Sequence, residues 1–441
     1  RLMEAAERVL GWIAEAGATG DLMIAEGSSL SLKARDGELE EHKVSSSQVF
    51  GVRVIKDDKA GVAYSEAADN AALRLMVDQA LVNASYARSD ANEKIPNTNI
   101  TLSTDDAVLA PTDNVSVEEK IDAVLRLERE LGARDKVKNV PYNGVSDVTA
   151  AQRIFSTAGL EATSRVRACF SQAAALVEDG DKNVMEGWGQ SARRFDELDI
   201  DSIVDTAHAN CLALLHGEAV PSGHYDVIFD AQCQPTMFST FSMMFSGKAA
   251  KDGINPMRDK VGEIIADKRL HLFDSPLMDD GFGYALFDDE GSPTARTSLI
   301  SGGSLETFIH NSATAAHFGL RTTGNGARSP RSTLAVQLHQ LEIEAGDADD
   351  DTVTAGEYLE LTDLTGTHSG ANAVAGDFSF GASGFLCRDG ERVEPVRNIT
   401  VAGNFYEMLN KISLIGKTRR WDMDRHAFMP SIRFSDIAIS G

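Results

Sequence analysis

Apolar residues at Leu2, Ala5, Ala6, Val9, Ile13 and Ala16 recur at helical spacing, which predicts an amphipathic helix over 2–17 stopped by Gly17 and Gly20. Short strand-like runs follow. Leu30 and Leu32 alternate with polar neighbours, Asp36-Gly37 signals a turn, and Val49–Ile55 is rich in β-branched residues. Gly61–Ser65 reads as the returning strand after the polar turn Lys56–Lys59. From Asn70 to Ala87 the period is helical again, with Leu73, Leu75, Met76, Ala80 and Leu81 among its apolar positions. Residues 1–90 thus form an α–β–α block. Residues 91–115 hold Pro96, Pro111 and several Asn and Asp without periodicity, which predicts a linker.

A second block spans 116–220. Ser116 followed by Glu119 fits a capping box, which predicts a helix to about Ala133. Thr149–Ser156 and Ala162–Val177 read as a hairpin around Ala158-Gly159, and a further helix covers about Asp201–His216. The third block, 221–441, opens with the buried strand Tyr225–Phe229. A buried helix follows at Met237–Phe245, and after it comes a strand-rich, turn-rich remainder with short helices near Ser312–Phe318 and Asn404–Ile412. Helices and strands mix without a βαβ rhythm, so the predicted class is α+β: an N-terminal α–β–α domain, a middle helix-plus-hairpin domain and a larger, mixed, strand-rich C-terminal domain.

Length agrees with this division, since 441 residues at roughly 150 per domain predict about three. The formal charge of −25 argues against a phosphate-backbone binder, which needs clustered Lys and Arg, and so against direct nucleic-acid contact. No apolar run approaches the ~20 residues of a membrane span, and no leader pattern is visible. The scattered cysteines 169, 211, 233 and 387 read as reduced thiols, so the expected compartment is the cytoplasm.

Local chemical motifs fail one by one. A helix binds zinc through two His about one turn apart with a Glu beside the first. Of the ten His here none precedes Glu, and the closest pair, His310 and His317, would stand ~10 Å apart on a helix. Gly381-Ala382-Ser383-Gly384 comes nearest to a hydrolase elbow, but Phe385 stands where the last Gly is required. Gly416-Lys417-Thr418 mimics a phosphate loop with Lys411 in place of its first Gly. Asp347, Asp349 and Asp351 have the spacing of calcium ligands, but Thr352 and Tyr358 occupy the Gly and Glu positions.

Three stretches carry a resemblance. They are the run SSSQVFGVRVIKDDKAGVAYS over 45–65; Phe287-Asp288-Asp289-Glu290-Gly291 with Ser301-Gly302-Gly303 and Thr323-Gly324-Asn325-Gly326; and GDFSFGASGF from Gly376 with Asn398–Asn404. Together with the order of elements they resemble the TldD/PmbA family across essentially the whole chain. The resemblance implies that the TldD branch carries an HExxxH helix after a strand of the third domain. Its two His and a Cys near the C-terminus hold zinc, and its Glu acts as base.

Here the corresponding place reads Met237-Phe238-Ser239-Thr240-Phe241-Ser242-Met243-Met244. By offset Ser239, Thr240 and Met244 stand about where the His, Glu and second His would be, and Trp421–Gly441 contains no Cys. The resemblance therefore implies the PmbA/TldE-like branch, with no catalytic residue and no metal ligand in this chain. Zinc is expected only in a TldD-type catalytic partner, and the pair would cleave unfolded peptides and mature peptide precursors. The expected peptide-binding strand is Gly376, Asp377, Phe378, Ser379, Phe380 and Gly381, where glycines suit close approach of another backbone. The same pattern also reads as a bulge with core aromatics. Two other functions stay open: an autonomous metallopeptidase with a dispersed site, and a non-enzymatic protein-binding modulator of the DNA gyrase type. A homodimer of the isolated chain stays open as well.

Overall fold

The computed structural model describes all residues 1–441. Helix α1 (Leu2–Glu15) buries Ala5, Ala6, Val9 and Ile13, and the chain turns out of it at Gly17 with φ +71°. Strands β1 (Thr19–Arg35), β2 (Glu38–Lys56) and β3 (Lys59–Ser65) form an antiparallel meander. Its two tight turns place Asp36-Gly37 and Asp57-Asp58 at positive φ, the geometry that matches the strands' twist. Helix α2 (Asn70–Ser85) is capped by Asp69, whose Oδ1 accepts the Ala72 N–H at 2.9 Å.

The expected linker contains two short elements, β4 (Thr101–Ser103) and α3 (Asp106–Leu109). Helix α4 (Val117–Gly132) has the predicted capping box of Ser116 and Glu119. Then come β5 (Val137–Ser156), β6 (Glu161–Asp179), β7 (Lys182–Ala192) and α5 (Ile200–Leu214). Strand β1 pairs with β2 on one side and, from Asp21↔Ser156 to Leu32↔Val145, with β5 on the other. Blocks 1–90 and 116–220 are therefore joined in one seven-stranded sheet ordered β3-β2-β1-β5-β6-β4, with β7 also beside β6.

The strands are far longer than the predicted runs because the sheet has a core at each end and none between. Helices α1 and α2 cover Leu22, Ile24, Phe50, Val52 and Val54 at one end. Helices α4 and α5 cover Leu32, Val145, Cys169 and Ala173 at the other. The middle is lined by Ser28, Ser46, Ser47 and Thr149, which carry no hydrophobic alternation to betray a strand.

The third block starts with β8 (Gly223–Phe229), α6 (Cys233–Thr240), a 3₁₀ turn at Ser242–Phe245 and α7 (Gly247–Lys251). Short pieces follow: β9 (Leu272–Asp274), β10 (Thr297–Ser301), β11 (Ser304–Leu305), α8 (Ser312–His317), β12 (Gly326–Ala327), β13 (Ala335–Val336), β14 (Leu341–Ile343) and α9 (Asp350–Val353). Long strands finish the chain: β15 (Glu357–Thr365), β16 (Asp377–Arg388), β17 (Glu391–Asn404), the one-turn α10 (Phe405–Met408), β18 (Ile412–Trp421) and β19 (Ala427–Ser440). The sheet runs β11-β10-β9-β14-β19-β17-β16-β15-β8, and β8 pairs back onto β19, so its last five strands close on themselves. Their core takes in Met237, Phe238 and Phe241 of the α6 region against Phe378 and Phe405. The fold is α+β, and no helix is long and apolar enough to cross a membrane.

The two sheets are locked together by buried charge. Asp21 of β1 accepts Arg53 Nη2 at 3.1 Å, and its other oxygen accepts Arg328 Nη1 from the third block. Arg328 Nη2 also donates to the Gly51 carbonyl at 3.3 Å, and its N–H donates to Asp289 at 2.9 Å. All three charged side chains are at most 7 % exposed. Gly51 is required at this contact, since a Cβ there would lie 2.0 Å from the Pro330 carbonyl oxygen.

Candidate functional site

The first turn of α6 is set by Asp230, whose Oδ1 accepts the N–H groups of Gln232 (3.0 Å) and Cys233 (2.8 Å). Burial pushes the Asp230 carboxyl up to about 6, against the opposing pull of those bonds. The helix forms one wall of a cleft of about 990 Å³, with the extended segment 336–341, loop 367–373 and turn 422–427 as the others. The turn is closed by hydrogen bonds: Asp422 Oδ1 accepts the N–H groups of His426 (2.7 Å) and Ala427 (3.0 Å). Gln232 Oε1 accepts the Met423 N–H at 2.7 Å and ties the turn to α6.

Two of the three predicted motif positions face this cleft. Ser239 is exposed there and its hydroxyl has no partner in the chain, while Thr240 Oγ1 donates back to the Thr236 carbonyl at 2.7 Å. Met244 is 0 % exposed, because α6 ends at Thr240 and the following 3₁₀ turn rotates it into the core. The cleft's other potential metal donors are His339, His368, Asp422, Asp424 and His426. No three of their ligand atoms converge. The one trio that does is Asp113, Asp147 and Cys169, under the first sheet. Its space is filled by cations of the chain itself: Lys120 Nζ lies 3.3 Å from Asp113, and Arg167 Nη2 lies 2.7 Å from Asp113 and 2.6 Å from Asp147. Burial pushes the Cys169 thiol up to about 12. Cys387 sits in the core beneath β5–β7 and takes no part in the cleft. The residues present do not fit a catalytic zinc.

The peptide strand expected at Gly376–Gly381 needs correction. Strand β16 is internal. From Asp377↔Asn404 to Gly381↔Thr400 it pairs with β17. Its other edge is taken by the chain's own loop, through Ser379 N–H to the Gly370 carbonyl (2.8 Å) and Asn372 N–H to the Asp377 carbonyl (2.8 Å). Phe378 and Phe380 are core residues, 4 % and 1 % exposed. Close backbone approach does occur in this strand, but the approaching chain is β15: a Cβ at Gly384 would lie 1.8 Å from the Glu360 carbonyl oxygen.

A free edge stands elsewhere, on the cleft wall 336–339. The residues on either side of Leu338 are pinned. Gln337 N–H donates to the Asn325 carbonyl (3.0 Å), and the His339 and Gln340 N–H groups donate to Asp274 Oδ1 at 2.8 and 3.1 Å. His339 Nε2 donates to the Gly324 carbonyl at 2.8 Å. Between the pins, the N–H and C=O of Leu338 make no hydrogen bond within the chain. An adjoining cavity of about 470 Å³ shares Gln337, Leu338, His339 and His426 with the cleft and continues beneath β1 and β5, past Phe287–Asp289. The two cavities form one groove, and Leu338 presents one free N–H and one free C=O on its wall, able to pair with the main chain of an extended peptide. Sequence reasoning missed this edge, although Leu334, Val336 and Leu338 alternate with polar or small residues.

Family descriptions match nearly the whole chain: PmbA/TldA metallopeptidase domain 1 at residues 20–84, the central domain at 110–215 and the C-terminal domain at 222–441. Metalloprotease PmbA of Escherichia coli O157:H7 is 24 % identical over 400 residues, covering 90 % of this chain and 87 % of that protein. A metalloprotease of Methanothermobacter thermautotrophicus is 24 % identical over 416 residues, covering 91 % and 88 %. Among solved structures, TldE from Thermococcus kodakarensis matches with a TM-score of 0.84 at 21 % identity, covering 99 % of this chain and all of that one. A Thermotoga maritima protein described as a candidate modulator of a DNA gyrase matches with a TM-score of 0.87 at 24 % identity over the whole of both chains.

Proposed function

The chain belongs to the PmbA/TldD metallopeptidase family, and on that premise we propose that it is a PmbA/TldE-type subunit, which holds extended peptide for a TldD-type catalytic partner. The observation that carries this reading is the pairing of a peptide-sized groove with a helix that offers no metal donor: Ser239 and Thr240 face the cleft and Met244 is buried in the core. A hydrolytic metal needs converging imidazole, thiolate or carboxylate ligands and a base for its water. The groove supplies hydrogen-bonding backbone at Leu338 instead. Four buried free thiols support the cytoplasm as the working compartment. The substrates are unfolded peptides and peptide precursors, because only an extended chain can pair with a strand edge.

The test is to purify the chain alone and together with a TldD-type subunit, and to assay cleavage of an unstructured peptide with and without a chelator. The lone chain is expected to be inactive and the pair to cleave in a zinc-dependent way. Robust zinc-dependent cleavage by the lone chain overturns the reading, and so does a pair no faster than the partner by itself.

A further inference from the structure

Two guanidinium groups beside the groove make no ion pair. Arg193, just after β7, and Arg425, in the turn between β18 and β19, both pack on the ring of Phe282, with Cζ at 4.3 and 5.5 Å from its centroid. Phe282 itself lines the groove. Neither arginine has a carboxylate within ion-pairing distance, in a chain of net charge −25. Neighbouring Arg194, by contrast, is matched by Asp196 at 3.3 Å and Glu197 at 3.1 Å. Arg193 Nη1 donates to the Arg167 carbonyl at 3.1 Å, while Nη2 is buried with no partner at all. Burial first, and the charge of Arg425 second, push the Arg193 guanidinium down to about 10. An orphaned buried donor and two unmatched like charges both cost stability unless an anion joins them.

The space for that anion exists. Both arginines line a pocket of about 310 Å³ walled by α3, by Asp279-Asp280 and by the paired Arg194 and Glu197. Its mouth is held in shape: Phe282 N–H donates to the Arg425 carbonyl at 2.8 Å, and Trp421 Nε1 donates to Asp280 Oδ2 at 3.0 Å. The three carboxylates in its lining, Asp279, Asp280 and Glu197, disfavour a dianion such as phosphate, and a single carboxylate matches a guanidinium fork. Position agrees, because Arg425 lies between Asp424 and His426, which both line the cleft.

We propose that Arg193 and Arg425 form a carboxylate subsite flanking the groove, which captures a carboxylate of the bound peptide. This rests on the peptide-holding reading above. The carboxylate can come from the peptide's C-terminus or from an acidic side chain, and the two share the same chemistry.

Three labelled decapeptides of Gly, Ser, Ala and Val separate the sources by fluorescence anisotropy: a free acid, its C-terminal amide, and the amide with one internal Glu. The wild-type chain is expected to bind at least one carboxylate-bearing peptide roughly 10-fold or more tighter than the plain amide. The peptide that shows the advantage identifies the source. Arg425→Gln removes the advantage, and Arg193→Lys, which keeps a cation on Phe282 but loses the fork, weakens it. Thermal melts confirm that both variants are folded. Equal binding of all three peptides, no binding of any, or an advantage that survives both substitutions overturns the subsite. Cleavage by the chain with its TldD-type partner is scored separately. Cleavage without carboxylate preference overturns the subsite alone. Arginine-dependent binding without any gain in cleavage overturns the subunit reading alone.

Discussion

Replacing Leu338 by Pro tests the free strand edge directly. The Leu338 N–H has no partner in the chain, so Pro removes no internal hydrogen bond. The cost to folding is then mostly the side chain, which is half-buried against the large core of the third block. Losing part of that contact costs about 1–2 kcal/mol, or a melting shift of roughly 2–8 °C for a domain of this size. Leu338→Ala removes the same contact and keeps the N–H, so it serves as the matched control. A net hydrogen bond contributes about 0.5–1.5 kcal/mol, so loss of the peptide's bond to this N–H predicts Kd raised roughly 2- to 13-fold. The proline ring adds a steric block on the same edge and moves the result toward the upper end. Anisotropy titration of an unstructured peptide against both variants gives the ratio, and a peptide N-methylated at alternate residues repeats the test from the other side. Equal affinity of L338P and L338A, with both folded, would refute strand addition at this edge.

Other outcomes follow from the same geometry. Asp230 has its folded pKa raised to about 6, so the folded state holds this proton more tightly than the unfolded chain. The contribution is full below about pH 4 and is lost as pH rises through about 6. Asp230→Asn keeps an Oδ1 for both N–H groups, and should flatten urea-denaturation stability between pH 4 and 7 and raise it at pH 7 by up to about 3 kcal/mol; a variant less stable than wild type at pH 7 contradicts this. Arg53→Met leaves Asp21 with Arg328 alone and Glu290 without its nearest cation at 4.0 Å, so a loss of about 3–5 kcal/mol is expected in urea melts. The triple variant S239H/T240E/M244H should hold no stoichiometric zinc after dialysis, because position 244 faces the core and no cysteine lines the cleft. Metal analysis near one zinc per chain would count against that placement.

The parts of the fold that were legible in the sequence are those where one local cause decides. The Ser116–Glu119 box starts α4, the helical period over Asn70–Ala87 becomes α2, and β-branched Val49–Ile55 lies in a strand. The long strands were not legible, because the serine-rich middle of the first sheet has no apolar face to alternate. The helix expected over Asn404–Ile412 shrinks to one turn at Phe405–Met408, since Ile412 already pairs with Phe434 in the next strand. Site reasoning failed at Gly376–Gly381 for a related reason: glycine reports that a backbone comes close and is silent on whose backbone it is. The edge at Leu338 is defined by a missing hydrogen bond, a property of three-dimensional pairing that a single segment's sequence does not encode. Arg193 and Arg425 lie more than two hundred positions apart, and only the fold brings both onto Phe282.

The groove's chemistry also bears on how tightly peptide can be held. Its walls come from both sheets, so its shape depends on the buried contacts of Asp21, Arg53 and Arg328 between them. Leu338 offers one donor and one acceptor, worth about 1–3 kcal/mol together, and a single carboxylate contact adds a similar amount. These sums predict weak, fast-exchanging binding, far short of the ~8 kcal/mol of a micromolar complex unless side chains contribute heavily. Such weakness agrees with the proposed subunit reading, under which a tightly held peptide would be withdrawn from a catalytic partner. A saturating affinity below about 1 μM for short unstructured peptides, measured on the lone chain, would contradict that logic and point to a storage or inhibitory role for the groove.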